Sequence, residues 1–397
     1  MKLSTRRTLA LALALSLPAA LLFATPIEAG QRRSHPPALA LKRVTKQIAP
    51  GLTLTKYIDK KTPRRTYVLT VDLSTDLTFD VTLARGVLPG RLRTSDIAGR
   101  EGAIAAVNGD FTDPNAGRPV HPFQQDGLLA QTSINRGTAF AVSSDEQTFS
   151  FAQPAQVVTA TVPGGLVWTI DRWNQGPPGV GEIAAFSPLG GTLELPPPDS
   201  CSVRLLPQVA PSPSATGPGM EQTFTVDERI CSESSLPRNG GIVLSALPAS
   251  DEAMQILSLV PGSTVTLDWS LGWSNTLDVI GGSPLLVADG TTAITECTTS
   301  LCHRAPRTGI GVTADGKLLL VVVDGRRPLH WSVGATLKEF ARIFLNLGAT
   351  WALNLDGGGA STMVVNGAVV NRPSDTGGER GVASAVLILP GPDPGQP

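Results

Sequence analysis

From Leu52 onward the chain is built of short apolar runs, alternating or continuous, separated by Gly, Pro, Asn and Asp. Runs at 66–72, 79–84, 140–142, 157–162, 264–269 and 318–323 fit half-buried or fully buried strands. One segment has helical spacing instead. Leu337, Phe340, Ala341, Phe344, Leu345 and Leu347 recur at three- and four-residue intervals. Thr336 and Glu339 form a capping box ahead of them, and Gly348 stands where a left-handed residue ends a helix. Strands outnumber helices, and no long β-α-β series appears. The pattern therefore predicts one sheet-rich α+β domain with a few helices packed on it.

A second passage repeats the first without a gap. Gly102-Ala103-Ile104-Ala105-Ala106-Val107-Asn108-Gly109-Asp110 aligns with Gly348-Ala349-Thr350-Trp351-Ala352-Leu353-Asn354-Leu355-Asp356. A short helix over 94–100 would then be the partner of the capped one. The segment Asp126-Gly127-Leu128-Leu129 is similar to the 285–290 region, and 141–145 to 311–315. These matches predict two pseudo-symmetric halves, each with a helix feeding a strand that ends in Asn-x-Asp. Chance is the competing explanation, because the shared pattern is short.

The termini read differently. Lys2, Arg6 and Arg7 precede an apolar stretch from Leu9 to Phe23, and Ala29 offers a small residue for cleavage. Residues 1–29 fit a secretory signal peptide, an uncleaved anchor being the alternative. The general export route is favoured over the twin-arginine route, which Arg6-Arg7 also resembles. Residues 30–50 read as a flexible leader, 51–390 as the folded domain and 391–397 as a disordered tail. Within the domain, 190–240 is a Pro- and Ser-rich stretch that reads as a surface excursion. Four cysteines, an even number in an exported chain, favour disulfides, and proximity pairs Cys201 with Cys231 and Cys297 with Cys302. A zinc site is the weaker alternative, since no C-x-x-C pair occurs. The product is expected in the secreted or periplasmic space, with no membrane span after cleavage.

Composition narrows function by exclusion. The 397 residues hold 32 Lys and Arg against 33 Asp and Glu, so a strongly basic nucleic-acid binder is excluded. Charged residues are only 16 %, which excludes a coiled coil.

Candidate chemistry gathers after strand ends. Asn354-Leu355-Asp356-Gly357-Gly358-Gly359-Ala360-Ser361-Thr362 places a carboxylate beside three glycines, whose N–H groups can form an anion nest. A turn with Asp bonding its own backbone is the plain alternative. Arg307 opens the strand pattern 308–314 and has the fork geometry for a phosphate, though such an arginine can equally be structural. Asp324 ends the run Leu318–Val323, and Arg380 follows Glu379. Asp110, Asp113 and Asn115 have oxygen ligands but lack calcium-loop spacing, so no metal and no cofactor is assigned. His121 and His303 are histidines near these motifs, and each reads as structural before catalytic.

These motifs, in this order, resemble the phosphodiester glycosidase family. The similar stretches are Ala106-Val107-Asn108-Gly109-Asp110-Phe111, Ile280-Gly281-Gly282-Ser283-Pro284-Leu285-Leu286, Pro306-Arg307-Thr308-Gly309-Ile310-Gly311, Val323-Asp324-Gly325-Arg326, the 354–362 segment, and Asn371-Arg372-Pro373-Ser374 with Glu379-Arg380. The resemblance is best over 240–390. It departs at Asp110, where the family often has a second Gly, and at Ala360, which intervenes before Ser361. The resemblance implies hydrolysis of the glycosidic C1–O bond of a sugar-1-phosphodiester, to free sugar and a phosphomonoester. For bacterial relatives it implies a link to exopolysaccharide. Under it, Asp356, Asp110 and Arg307 are the expected catalytic residues. Asn108, Asn354, Thr308, Asp324, Gly357, Gly358, Gly359, Ser361 and Arg380 are the expected substrate-binding ones. The partner is a carbohydrate phosphodiester or polysaccharide. A non-catalytic polysaccharide-binding or envelope-assembly protein on the same scaffold is the second hypothesis, and a metal-assisted hydrolase or lyase the third.

Overall fold

The computed structural model describes residues 42–391, apart from 136, 192–195, 233–235, 237 and 328–330. The signal, most of the leader and the last six residues lie outside this set. The sheet-rich α+β reading is correct. Strands carry most of the regular structure, with helices at Thr94–Glu101, Asp251–Leu257 and Leu337–Asn346. The third has the expected capping box: Thr336 Oγ1 accepts from Glu339 N at 3.2 Å, and Glu339 Oε2 accepts from Thr336 N at 2.9 Å.

The strand pairing shows three repeated arrays rather than two halves. Each contains a hairpin, a third strand, a fourth strand and a final strand, and each final strand lies between the hairpin and the third strand. The first array holds Phe123–Gln125, Leu128–Gln131, Thr138–Ser143, Phe149–Ala152 and Thr276–Gly282. The second holds Leu285–Ala288, Thr291–Thr292, Arg307–Thr313, Leu318–Val323 and Ala349–Asn354. The third is assembled from both ends of the chain: Met363–Val365, Ala368–Val369 and Ser384–Pro390, then Leu77–Leu83 and Ala105–Asn108.

Register makes the equivalence quantitative. Gly281, Asn354 and Asn108 pair with Ala139, Gly309 and Ala385 respectively. The three hairpins also turn alike. Asp126, Asp289 and Asn366 have φ of 50°, 47° and 48°, and the glycine after each has φ of 74°, 68° and 73°. Asx-Gly with both residues at positive φ is the two-residue turn whose twist suits a hairpin.

Alternation explains the packing. In Leu318–Val323, Leu318, Leu320 and Val322 enter the central core, while Leu319, Val321 and Val323 face the helix side with Phe340 and Phe344. A strand covered on both faces reads as a continuous apolar run. Val107, Ile280 and Leu353, one equivalent position from each array, meet in the same central core. The helix Thr94–Glu101 covers the third array through Ile97 and Ala98.

Two expectations are corrected here. The end of the supposed leader, Lys42–Ala49, is an edge strand paired with Leu52–Asp59 and so extends the second array. Its partner is set by the Pro50-Gly51 turn, with Gly51 at φ 71°. The 190–240 stretch is not an excursion. Ser200–Pro207 and Met220–Ser232 are central strands of a nine-stranded sheet inserted before the final strand of the first array. That sheet has its own core, including Val203, Leu205, Phe224, Leu267 and Trp269. Trp173 and Trp269 donate their indole N–H to the Leu129 and Gly127 carbonyls at 2.7 and 3.0 Å, pinning the sheet to the first hairpin. Both expected disulfides form, and Cys201–Cys231 links two paired strands.

Candidate active site

The three final strands end at one place. Asn108, Asn354 and Gly281 are equivalent, so Asp110, Asp356 and Ser283 are the residues each array presents two positions later. The ends clasp one another through main-chain bonds. Asn108 Nδ2 donates to the Asp356 carbonyl at 2.7 Å, and Asp356 N donates to the Gly109 carbonyl at 3.1 Å. Asn354 Nδ2 donates to the Ser283 carbonyl at 2.7 Å, and Ser283 N to the Asn354 carbonyl at 2.9 Å.

Asp356 is partly exposed, and the N–H groups of Gly357 and Thr112 point at its carboxylate. Burial, with the negative charge of Asp110 added, raises its pKa to about 7. Arg380 opposes that shift.

Asp110 has a different surrounding and is fully buried. Its Oδ1 accepts from Phe111 N and faces His121 Nδ1, both at 2.7 Å, and its Oδ2 accepts from His121 N at 2.8 Å. Every oxygen is thus committed, so Asp110 orients His121 and does not itself meet a ligand. Burial opposes protonation of His121, but the hydrogen bond and charge of Asp110 outweigh it and hold its pKa above the ordinary value. The first array makes room for the ring by having no side chains there. A Cβ on Gly281 would overlap the His121 Cβ, and one on Gly137 would overlap the imidazole.

Several expected ligand contacts are internal braces. Arg307 is 2 % exposed. Its Nε donates to the Ala335 carbonyl at 3.0 Å, and one terminal nitrogen donates to the Leu301 and His303 carbonyls at 2.6 and 2.5 Å. Burial and the neighbouring Arg326 lower its pKa to about 10. Its guanidinium ties down the loop around the Cys297–Cys302 disulfide rather than an anion. Thr308 donates to Asn108 Oδ1 at 2.8 Å, and Thr362 N donates to the same atom at 3.1 Å. Asp324 is buried and accepts from Trp331 Nε1, Asn371 Nδ2 and Arg372 N at 2.9, 3.1 and 2.9 Å. It holds the 371–372 turn in place. The anion nest is also partly spent, because Gly358 N donates to the Pro306 carbonyl and Gly357 N to Asp356.

The cations at the glycine turn are others. A Cβ on Gly358 would lie 3.0 Å from an Arg326 terminal nitrogen, and one on Gly359 would meet the ion pair of Asp375 and Arg380. That pair is 2.9 Å long, and Arg326 is exposed. Arg326 also has φ 54°, an uncommon conformation for a side-chain-bearing residue. Asn354 Oδ1, Ser361 Oγ and Thr362 Oγ1 are buried with no hydrogen-bond partner among the described residues.

The carboxylate oxygens of Asp110 and Asp113 are taken up by internal hydrogen bonds. Asp113 Oδ1 is taken by the N–H groups of Asn115 and Ala116 at 2.8 and 3.0 Å. Among the described residues, Asp80, Asp126 and Asp278 do bring carboxylate oxygens within 4.8 Å of one another. They lie toward the opposite end of the strand that carries Gly281.

Comparison with known proteins agrees with the motifs. Residues 219–389 match the model of the phosphodiester glycosidase family. Among curated proteins it is similar to N-acetylglucosamine-1-phosphodiester alpha-N-acetylglucosaminidase of Bos taurus. The two are 30 % identical over 113 residues, which cover 25 % of this chain and 21 % of the bovine one. The match spans about a fifth or less of the length of such relatives. A hypothetical protein from Synechocystis shares the fold, with TM-score 0.67 at 20 % identity, covering 89 % of this chain and 64 % of that one. A Burkholderia pseudomallei protein described as exported has TM-score 0.61 at 26 % identity, covering 83 % and 74 %. Among the described residues no helix is long and apolar enough to cross a membrane.

Proposed function

We propose that this protein is an exported hydrolase that cleaves the glycosidic C1–O bond of a sugar-1-phosphodiester, releasing free sugar and a phosphomonoester. The observation that carries the reading is Asp356: a partly exposed carboxyl with a pKa of about 7, beside a second carboxylate tied to a histidine. Burial holds the Asp356 carboxyl near its titration midpoint at neutral pH, while Asp110 favours the charged form of His121, and such a pair suits acid–base work. Asp356 takes the proton of a water that attacks C1. The C1–O bond breaks, and its electron pair stays on the phosphate oxygen. His121, protonated and oriented by Asp110, together with Arg326 and Arg380, stabilises that charge. The family match, the disulfides and the likeness to an exported protein support this class of enzyme and an extracytoplasmic location, with exopolysaccharide or envelope glycans as substrate.

The test is incubation with a panel of sugar-1-phosphate diesters, with and without chelator, resolving free sugar from sugar phosphate. Free sugar that persists with chelator and disappears in Asp356→Asn is the expected result. Sugar phosphate would mean P–O cleavage and refute the bond assignment. Binding of polysaccharide with no product would favour the binding-protein reading.

A further inference from the structure

We propose that the recess beside the glycine turn is a second anion subsite, which takes a carboxylate or phosphate on the aglycone side of the scissile bond. The inference rests on the phosphodiester reading for its place in the substrate, not for the existence of the site. The recess has a volume of about 480 Å3, and Arg93, Arg327 and Arg372 line it with Asn371, Asp375 and Glu379. That volume lies in the range of about 300–1,000 Å3 typical of ligand sites.

The charges in it are unbalanced. None of the three guanidinium groups has a carboxylate or hydrogen-bond partner among the described residues, and Arg327 Nε is buried as well as unpaired. Both acids are already engaged. Asp375 pairs with Arg380, and Glu379 accepts from Ser95 N and Ser95 Oγ at 3.0 and 2.6 Å. A buried donor without a partner is costly, and a planar fork facing a cavity matches a carboxylate or phosphate.

The floor is rigid. Asn371 and the Arg372 N–H are bonded to Asp324, and Asn371 Oδ1 accepts from Met363 N at 2.8 Å. The Arg372 guanidinium lies 5.2 Å from the Trp331 ring centroid, and Arg65 stacks on the same indole at 3.7 Å. The recess is also continuous with the site. The Asp375–Arg380 pair borders it and lies against Gly359, while Arg380 acts on the Asp356 carboxylate. A substrate with its phosphodiester at Arg326 and Arg380 would therefore extend its next segment toward Arg93 and Arg327.

Calorimetric titration tests this without requiring turnover. The wild-type protein is titrated with tripolyphosphate, trigalacturonate and, as a neutral control, maltotriose. At least one anionic probe binds, and maltotriose does not compete; whichever anion binds assigns phosphate or carboxylate chemistry. In Arg93→Gln/Arg327→Gln the affinity falls about tenfold or more, as expected for lost charge-assisted contacts. Arg372→Gln, made separately, weakens binding in the same direction and covers the case in which the double variant does not fold. Unchanged affinity in the folded variants, or no anion binding to wild type, overturns the proposal. The double variant should turn over a diester with a neutral aglycone at the wild-type rate. Probe binding without release of free sugar from any diester would sink the glycosidase reading alone. Release of free sugar with probes indifferent to these arginines would sink the subsite alone.

Discussion

Replacing Asp356 with asparagine should make the protein more stable at alkaline pH while removing its activity. The carboxyl has a pKa of about 7 in the folded protein, against about 3.9 in an unfolded chain. Below about pH 4 both states are protonated, and the group imposes no penalty. Between pH 4 and 7 the unfolded chain gives up its proton and the folded protein keeps it. The unfolded state then binds fewer protons, so stability falls as pH rises, and the loss is complete above pH 7. Three units at about 1.4 kcal/mol each set a ceiling of about 4 kcal/mol. Solvent reaching the partly exposed carboxyl brings the expected figure to about 2 kcal/mol. Asparagine has no proton to release and escapes the penalty. Urea unfolding of wild type and Asp356→Asn at pH 4.0 and pH 8.0 reads the difference directly, and the mutant should gain only at the higher pH. A difference in stability that is the same at both pH values would refute the buried-carboxyl argument. Turnover should fall by about a thousandfold or more, so that a gain in stability accompanies a loss of function.

Other outcomes follow from the same geometry. Asp110→Asn removes a charge that raises both Asp356 and His121, so both pKa values fall; proton NMR titration of the His121 ring should show its midpoint moving to lower pH. Gly281→Ala should displace the His121 ring by overlap with its Cβ, costing about 1–3 kcal/mol of stability and about a hundredfold in rate. A variant with full rate would show that the ring's position is unimportant. Arg307→Ala should lower stability by about 2–4 kcal/mol in thermal unfolding, because three carbonyls lose their donor, while KM of the folded enzyme for a phosphodiester stays unchanged. Arg326→Ala should do the reverse, raising KM with little change in melting temperature.

Local order was legible in the sequence because local rules set it. The capping box of Thr336 and Glu339, the strand Leu318–Val323 and both disulfides depend on residues close together in the chain. The repeat was legible only in part. The helix-to-strand passages at 102–110 and 348–356 align because they are the same element of the second and third arrays. The first array has the nine-stranded sheet in place of that helix, and its final strand ends in Gly281, so no Asn-x-Asp marks it. Composition hid the inserted sheet, since Pro and Ser cluster in its turns, although strands such as Ser200–Pro207 and Ile242–Ala246 are almost wholly buried. The strand-end position of Asp356 next to glycines marks it in the sequence as a candidate. His121 reads from the sequence as structural before catalytic, because its partner Asp110 is eleven residues away with no periodicity between them. Arg307 was misassigned for a physical reason: a guanidinium can be buried if carbonyls surround it, and sequence does not show which carbonyls do. The signal for Arg326 was its position directly after Asp324-Gly325.

The split third array bears on when the candidate site can be assembled. Asp110 is made early in synthesis, yet its strand Ala105–Asn108 is flanked by Met363–Val365 and Ser384–Pro390. The Ser384 hydroxyl accepts the Asp110 N–H at 3.2 Å, and the Ser384 carbonyl accepts from Gly109 N at 2.9 Å. The strand ends that carry Asp110 and Asp356 are therefore not fully paired until residues 384–390 have been made. A product truncated before residue 384 would hold both aspartates yet lack the strand that joins their ends. Pairing by Ser384–Pro390 makes that strand a condition of the site's assembly.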